Sequence, residues 1–128
     1  MRKAYVVSTF DMVNIADLDL LAQVRERSDE MVVAVLGDAE ATRLHGRPPV
    51  VPESERLGLV GALRNLGQVV LCHSIDDIPS GGEVTVYTDE ELLVDRADVL
   101  LTPARRSASA ELRNALDHGH VVTQEVSA

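Results

Sequence analysis

Apolar and polar positions alternate along the chain in blocks of two kinds. Short apolar runs at residues 4–9 and 31–36 read as buried strands. The first is Ala4-Tyr5-Val6-Val7 with small Ser8 and Thr9 at its end; the second, Met-Val-Val-Ala-Val-Leu, is apolar on both faces, as in a parallel sheet. Between them, residues 15–27 have helical spacing, with Leu18, Leu21 and Val24 on one face and Leu20 beside them. Asp17 and Asp19 fall in the first turn of that helix and Arg25 and Arg27 in its last, the order the macrodipole favours. Gly37-Asp38 closes the second strand, and residues 39–51 form a polar loop or short helix stopped by Pro48-Pro49. A helix opens at Pro52-Glu53 and runs to about Asn65, burying Leu57, Val60 and Leu63. Gly58 and Gly61 in it mark close packing on the sheet. Further strands are expected at 68–72, 83–87 and 98–101, a capped turn at 74–77, a plain loop at 79–82 and a last helix at about 108–118. Val121-Val122 adds an edge strand or packs down.

Helices lie between most strands, and right-handed crossovers then give an α/β fold, a doubly wound, mostly parallel five-stranded sheet with helices on both faces. The 128 residues make a single domain, 1–128, able to bury one core. That core is aliphatic, because the aromatics are only Tyr5, Phe10 and Tyr87, which also leaves no stacking platform for single-stranded nucleic acid. Twelve basic against 21 acidic side chains, net −9, argue against a nucleic-acid or anionic membrane surface. The single cysteine, Cys72, excludes an intramolecular disulfide and reads as a small buried hydrophobe in a reducing compartment. With no secretory signal and no apolar run of transmembrane length, a cytoplasmic location is expected.

In such folds ligands bind beyond the carboxyl ends of the strands. Those ends carry Thr9-Phe10-Asp11, Gly37-Asp38, His73, Thr88-Asp89 and Thr102 with Arg105-Arg106. The stretch from Tyr5 to Asp17 is the place to look for an anion site, since it leaves the first strand and opens the first helix, whose N-terminus offers free N–H groups. No phosphate-loop or dinucleotide glycine pattern competes with it.

The motifs at these positions resemble the small cytidylyltransferases of the glycerol-3-phosphate cytidylyltransferase type. Val7-Ser8-Thr9-Phe10-Asp11 is similar to that family's strand ending in (G)TFD. Asp38 matches the end of its second strand, and His45-Gly46-Arg47-Pro48 stands where its lysine-bearing loop would be. Pro52, Glu55, Arg56 and Arg64 resemble its P-x-E-x-R helix closed by an arginine, and Arg105-Arg106-Ser107-Ala108-Ser109-Ala110-Glu111 resembles in part its final R…I-S-T-T motif. The resemblance covers nearly the whole chain and implies a Rossmann-like nucleotidyltransferase domain. It implies transfer of CMP from CTP to a phosphorylated alcohol with release of pyrophosphate, Mg²⁺ accompanying the CTP, and a homodimer. It also implies nucleotide contacts from Thr9, Phe10, Asp11, His45, Arg47, Arg64, Arg105, Arg106 and Ser109. No resident metal is expected.

The family's H-x-G-H motif is replaced by Asn14-Ile15-Ala16-Asp17. Asn14 retains one amide donor. Asp17 is acceptor-only and negative where a phosphate-binding histidine would stand. Ala110 and Glu111 replace two threonines, so a second acid enters a second phosphate-binding helix start. Transfer is therefore weakened or lost, or the fold serves as a non-catalytic ligand-binding or dimeric regulatory module. A reading without any ligand is that Asn14 caps the helix and Asp17 reaches back as in a capping box. Ser109 likewise reads as a cap of the last helix, and Arg56 and Arg64 as ion-pair partners. Asp11 has a loop-structuring role or holds a metal-bridging water. Arg43, His45 and Arg47 form a phosphate clamp or a solvated loop, and His118 and His120 follow the last helix in solvent.

Overall fold

A computed structural model describes residues 2–103 and 108–117. Five parallel strands, β1 (Lys3–Ser8), β2 (Glu30–Leu36), β3 (Gln68–Cys72), β4 (Val84–Thr88) and β5 (Val99–Leu100), lie in the order β3-β2-β1-β4-β5. The connections are α1 (Ile15–Arg27), α2 (Asp38–His45), α3 (Glu53–Gly61), and 3-10 turns at Ile75–Asp77 and Glu91–Arg96. α4 (Ala108–Asp117) follows β5. This is the Rossmann-like sheet the sequence implied, parallel throughout, and the order reverses between β1 and β4, which puts the crevice at their carboxyl ends.

The central strands are buried on both faces because alternate residues enter two separate cores. Val6, Val33 and Val35 pack with Leu20, Leu21 and Val24 of α1 and Val60 of α3. Val7, Ala34, Leu36 and Val86 pack with Ala41 of α2, Ile78 and Leu93. The helical face of α1 is turned from the expected one. Ala16, Asp17, Leu20, Leu21 and Val24 are buried while Leu18 is exposed. The phase is set by Asp17, which is tied inward and carries the neighbouring leucine outward.

α3 stops at Gly61, four residues short of the expected Asn65, and β5 keeps only two residues. Gly58 and Gly61 face open space, so close packing on the sheet is not why they are there. The tight approach is at Gly67 (φ 86°), where a Cβ would lie 2.7 Å from the Met31 carbonyl oxygen; only glycine fits that entry to β3. Residues 39–45 are helical, and α2 ends on Gly46 in the left-handed region. Val121-Val122, His118 and His120 lie outside the described residues.

Candidate functional site

The turn after β1 is built around Asp11. Phe10 and Met12 on either side of it both have φ 54°, a left-handed conformation costing side-chain-bearing residues about 1–2 kcal/mol each. Two contacts offset that cost. The Phe10 side chain enters the core, and the buried Asp11 carboxylate accepts hydrogen bonds from the Val50 and Val51 N–H groups at 2.8 and 2.9 Å. Asp11 thus pins the segment between α2 and α3 against the β1 turn, the loop-structuring role. Arg47 Nη1 stands 3.7 Å from the same carboxylate.

Arg56 holds the strand ends from below. Its side chain is fully buried, with Nη1 donating to the Thr9 and Leu36 carbonyls at 2.6 Å each. Nε donates to Val51 O at 2.8 Å and Nη2 to Asp38 Oδ1 at 2.7 Å. One guanidinium therefore joins the ends of β1 and β2 to the start of α2 and the segment before α3. Asp38 and Glu53 exchange hydrogen bonds, each carboxylate accepting from the other's backbone N–H at 3.2 and 2.9 Å.

At the entry to α1, the Asn14 side chain accepts from Ala16 N–H at 2.9 Å and Asp17 Oδ2 accepts from Asn14 N–H at 3.2 Å. This is the capping box expected from the sequence. Asp17 does more than cap. Arg113 of α4 donates from Nη2 to Asp17 Oδ1 at 3.1 Å and from Nη1 to Oδ2 at 3.3 Å, and Nη1 also donates to the Asp11 carbonyl at 2.7 Å. The carboxylate is 1% exposed and the Arg113 side chain 15%. An acid at this helix start is thus neutralised from within the chain. Burial works against the Arg113 cation, yet the charges of Asp17, Asp89 and Glu90 outweigh it and raise its pKa further above the ordinary arginine value.

The residues after β4 complete the crevice. Thr88 Oγ1 donates to Val7 O at 2.8 Å and holds the ends of β1 and β4 together. Glu90 Oε1 accepts from Thr9 Oγ1 at 2.6 Å and lies 3.2 Å from His45 Nε2. Asp89 stands 3.9 Å from Arg113. Burial pushes the Asp89 carboxyl up to about 6, helped by the charges of Glu90 and Asp17 and opposed by a Ser8 hydrogen bond and the Arg113 charge. Its pKa is raised above the ordinary 3.8, so the folded chain binds more proton than the unfolded one between those values. Stability conferred at low pH is therefore lost as pH rises through about 6. Asp89→Asn is expected to be more stable than wild type at pH 7.5 by up to roughly 3 kcal/mol, at about 1.4 kcal/mol per pK unit. The gap should close toward pH 4.5, as read from urea midpoints; a less stable variant at pH 7.5 would mean that the Arg113 contact outweighs burial.

Thr9, Asp11, Ala41, His45, Arg47, Pro49 and Arg113 line a shallow open cleft with enclosed room of only about 10 Å³. The structure thus brings together Thr9, Asp11, His45 and Arg47 from the expected set, with Asn14 and Asp17 at its edge. Phe10 faces the core. Arg64 is exposed just before β3, at the opposite end of the sheet. Arg43 turns outward to pair with Glu40, leaving only His45 and Arg47 of the supposed clamp in the cleft. Ser109 is exposed and lies one residue inside α4 rather than at its cap. Arg105 and Arg106 lie outside the described residues. Among the described residues no group of three or more His, Cys, Asp or Glu side chains is placed to hold a metal ion.

Sequence reasoning missed Arg113, and Glu90 as the partner of Thr9 and His45. A signal for Arg113 was present. It lies four residues after Ser109, hence on the helix face expected to meet the site, and an acid buried at Asp17 requires a cation.

The fold is a Rossmann-like α/β sheet with its crevice at the β1/β4 switch point. Residues 5–126 match the family model described as cytidylyltransferase-like, and the chain belongs to that family. It is 30% identical over 84 residues to an FAD synthase of Thermoplasma acidophilum, covering 66% of this chain and 58% of that protein. It is 29% identical over 69 residues to an FAD synthase of Pyrococcus abyssi, covering 54% and 47%. The matched segment thus spans about half the length of these curated relatives. In fold it is similar to the lipopolysaccharide core biosynthesis protein from Thermoplasma volcanium, with TM-score 0.57 and 23% identity over 95% of this chain and 92% of that one. No helix among the described residues is long and apolar enough to cross a membrane.

Proposed function

We propose that this chain is a diverged nucleotidyltransferase-family protein in which transfer of CMP from CTP to a phosphorylated alcohol is weakened or lost. The observation that carries the reading is the Asp17 carboxylate, buried at the first turn of α1 and bonded to Arg113. In the family resemblance that position holds a histidine donating to phosphate; here it holds an acceptor already satisfied from within. Losing one well-placed donor at a reacting centre typically costs about 10²–10³ in rate, and placing a like charge there adds to the cost. The crevice keeps Thr9, His45, Arg47 and Arg113 on its walls, which supports retention of a phosphorylated ligand, a nucleotide or another, with Mg²⁺ accompanying CTP. A non-catalytic ligand-binding or homodimeric regulatory role on the same fold is the alternative.

Pyrophosphate release tests the proposal. The protein is incubated with Mg²⁺ and either CTP or ATP, against phosphorylated polyols and FMN, since the curated relatives are named for an adenine-containing product. Release within tenfold of background is expected for every pair. Turnover of about 1 s⁻¹ or more, the ordinary enzymatic range, would overturn it.

A further inference from the structure

We infer that α4 is a strap across the crevice, fastened by the Arg113 guanidinium instead of an apolar face. It opens as a unit over a folded sheet, and Asp89 beneath it makes the opening pH-dependent.

α4 leaves much of its apolar stripe uncovered. Leu112 and Leu116 stand one turn apart, yet they are 41% and 37% exposed, and neither apolar core includes a described α4 side chain. A helix of 10 residues depends on tertiary contacts, because its own propensity does not hold so short a segment in water. Here those contacts run through Arg113. Its fork donates to both Asp17 oxygens, at 3.1 and 3.3 Å, and Nη1 also donates to the Asp11 carbonyl at 2.7 Å. One side chain thus ties α4 to α1 and to the β1 turn. A segment with little buried apolar area and a polar anchor lies at the low-stability end of a fold and opens before the sheet does. Arg113 also lines the cleft with Thr9, His45 and Arg47, so opening α4 removes one wall and admits water to the acids behind it.

Asp89 is the acid that responds. It lies 3.9 Å from Arg113, and its buried Oδ1 finds no hydrogen-bond partner among the described residues. Its surroundings on that side are Val6, Phe10, Leu20 and Leu101. The charged groups facing it are Asp17 on α1, Glu90 beside it after β4, and Arg113 on α4, while Ser8 of β1 hydrogen-bonds to it. With α4 shut, burial pushes the Asp89 carboxyl up to about 6; with α4 open, water returns and the value falls back toward 3.8. The shut form therefore binds the proton more tightly. It is favoured at low pH, and opening grows as pH rises through about 6.

Amide hydrogen exchange of the full chain, read residue by residue by NMR and corrected for the intrinsic rate at each pH, tests this. In wild type the amides of residues 112–117 should be protected at least roughly tenfold less than those of β1 and β2. Their opening should rise roughly tenfold between pH 4.5 and 7.5, the direction set by a proton held in the shut form. Asp89→Asn keeps the shape, stays neutral and should flatten that rise. Arg113→Gln should strip α4 of protection while β1 and β2 stay protected. Leu112→Lys, on the outward face and of similar helix propensity, should leave α4 protection as in wild type. α4 and the sheet opening with one constant in wild type would overturn the inference. So would α4 protection that survives Arg113→Gln or is lost in Leu112→Lys, or a pH dependence that persists in Asp89→Asn. If Arg113→Gln does not fold, wild type and Asp89→Asn decide by themselves. No nucleotide enters these measurements, so their outcome is separate from that of the functional reading above.

Discussion

Arg56→Met is expected to lose at least about 4 kcal/mol of stability, enough to leave much of the chain unfolded at 37 °C. The guanidinium is fully buried and serves four acceptors, the carbonyls of Val51, Thr9 and Leu36 and the Asp38 carboxylate. Methionine fills much of the volume but supplies no donor. Each orphaned buried carbonyl costs about 1–3 kcal/mol, and breaking a buried ion pair from one side about 3–5 kcal/mol. These terms overlap, since the Asp38 carboxylate is 40% exposed and regains water, so the lower part of the range is expected. Native domains hold only about 5–15 kcal/mol in total. Arg56→Lys should recover a minority of the loss, because an ammonium cannot span acceptors on three separate segments. Urea unfolding checks both variants; a loss below about 1 kcal/mol for Arg56→Met would mean that the strand ends are held by packing alone.

The second large effect is expected from Asn14→His, Ala16→Gly and Asp17→His made together. A carboxylate about 4 Å from a phosphate is opposed by roughly 4 kcal/mol at an effective dielectric constant of 20, and about 1.4 kcal/mol is tenfold in affinity. Even a third of the repulsion, once removed, makes CTP binding tenfold tighter. The same variant gives up the capping box, about 1 kcal/mol, places glycine in the first turn, about 0.5–1 kcal/mol, and takes the nearest counter-charge from Arg113. A net cost of about 2–4 kcal/mol is expected. Tighter nucleotide binding in a less stable protein is the combined signature expected of the proposal, in which Asp17 both caps the helix and opposes a phosphate.

How much of this was legible in the sequence depended on whether the deciding contact was local. α1 and the Asn14–Asp17 capping box were readable because a cap and its partner lie three residues apart. β3 was readable at its full length because an apolar run bounded by a glycine turn has few alternatives. Leu18 was misread because helical periodicity cannot tell which of two adjacent stripes faces inward; Asp17, fixed by a side chain 96 positions away, decided it. α3 was drawn too long because Ala62 and Leu63 suit a helix, while the chain must turn at Asn65, at φ 62°, to reach Gly67 under the Met31 carbonyl. Thr9, Asp11, His45 and Arg47 come together on one cleft because they follow or close strand and helix ends in order. Arg64 went to the far end of the sheet because a motif match carries spacing and not direction. Glu90 and Arg113 were missed because each acts on residues of the first half of the chain from a distant element, although the spacing of Arg113 from Ser109 was a signal for it. The charge of the opening helix turn thus has a meaning that only the pairing reveals: Asp17 is an anion that the fold has supplied with its own cation.

The most direct test of the claim that Asp17 occupies the phosphate seat is CTP calorimetry with Mg²⁺ on wild type and the Asn14→His, Ala16→Gly, Asp17→His variant side by side. CTP affinity at least tenfold higher in the variant is predicted, with wild-type binding weak. Equal affinities, or tighter binding by the wild type, would contradict it and place the ligand site of this domain elsewhere.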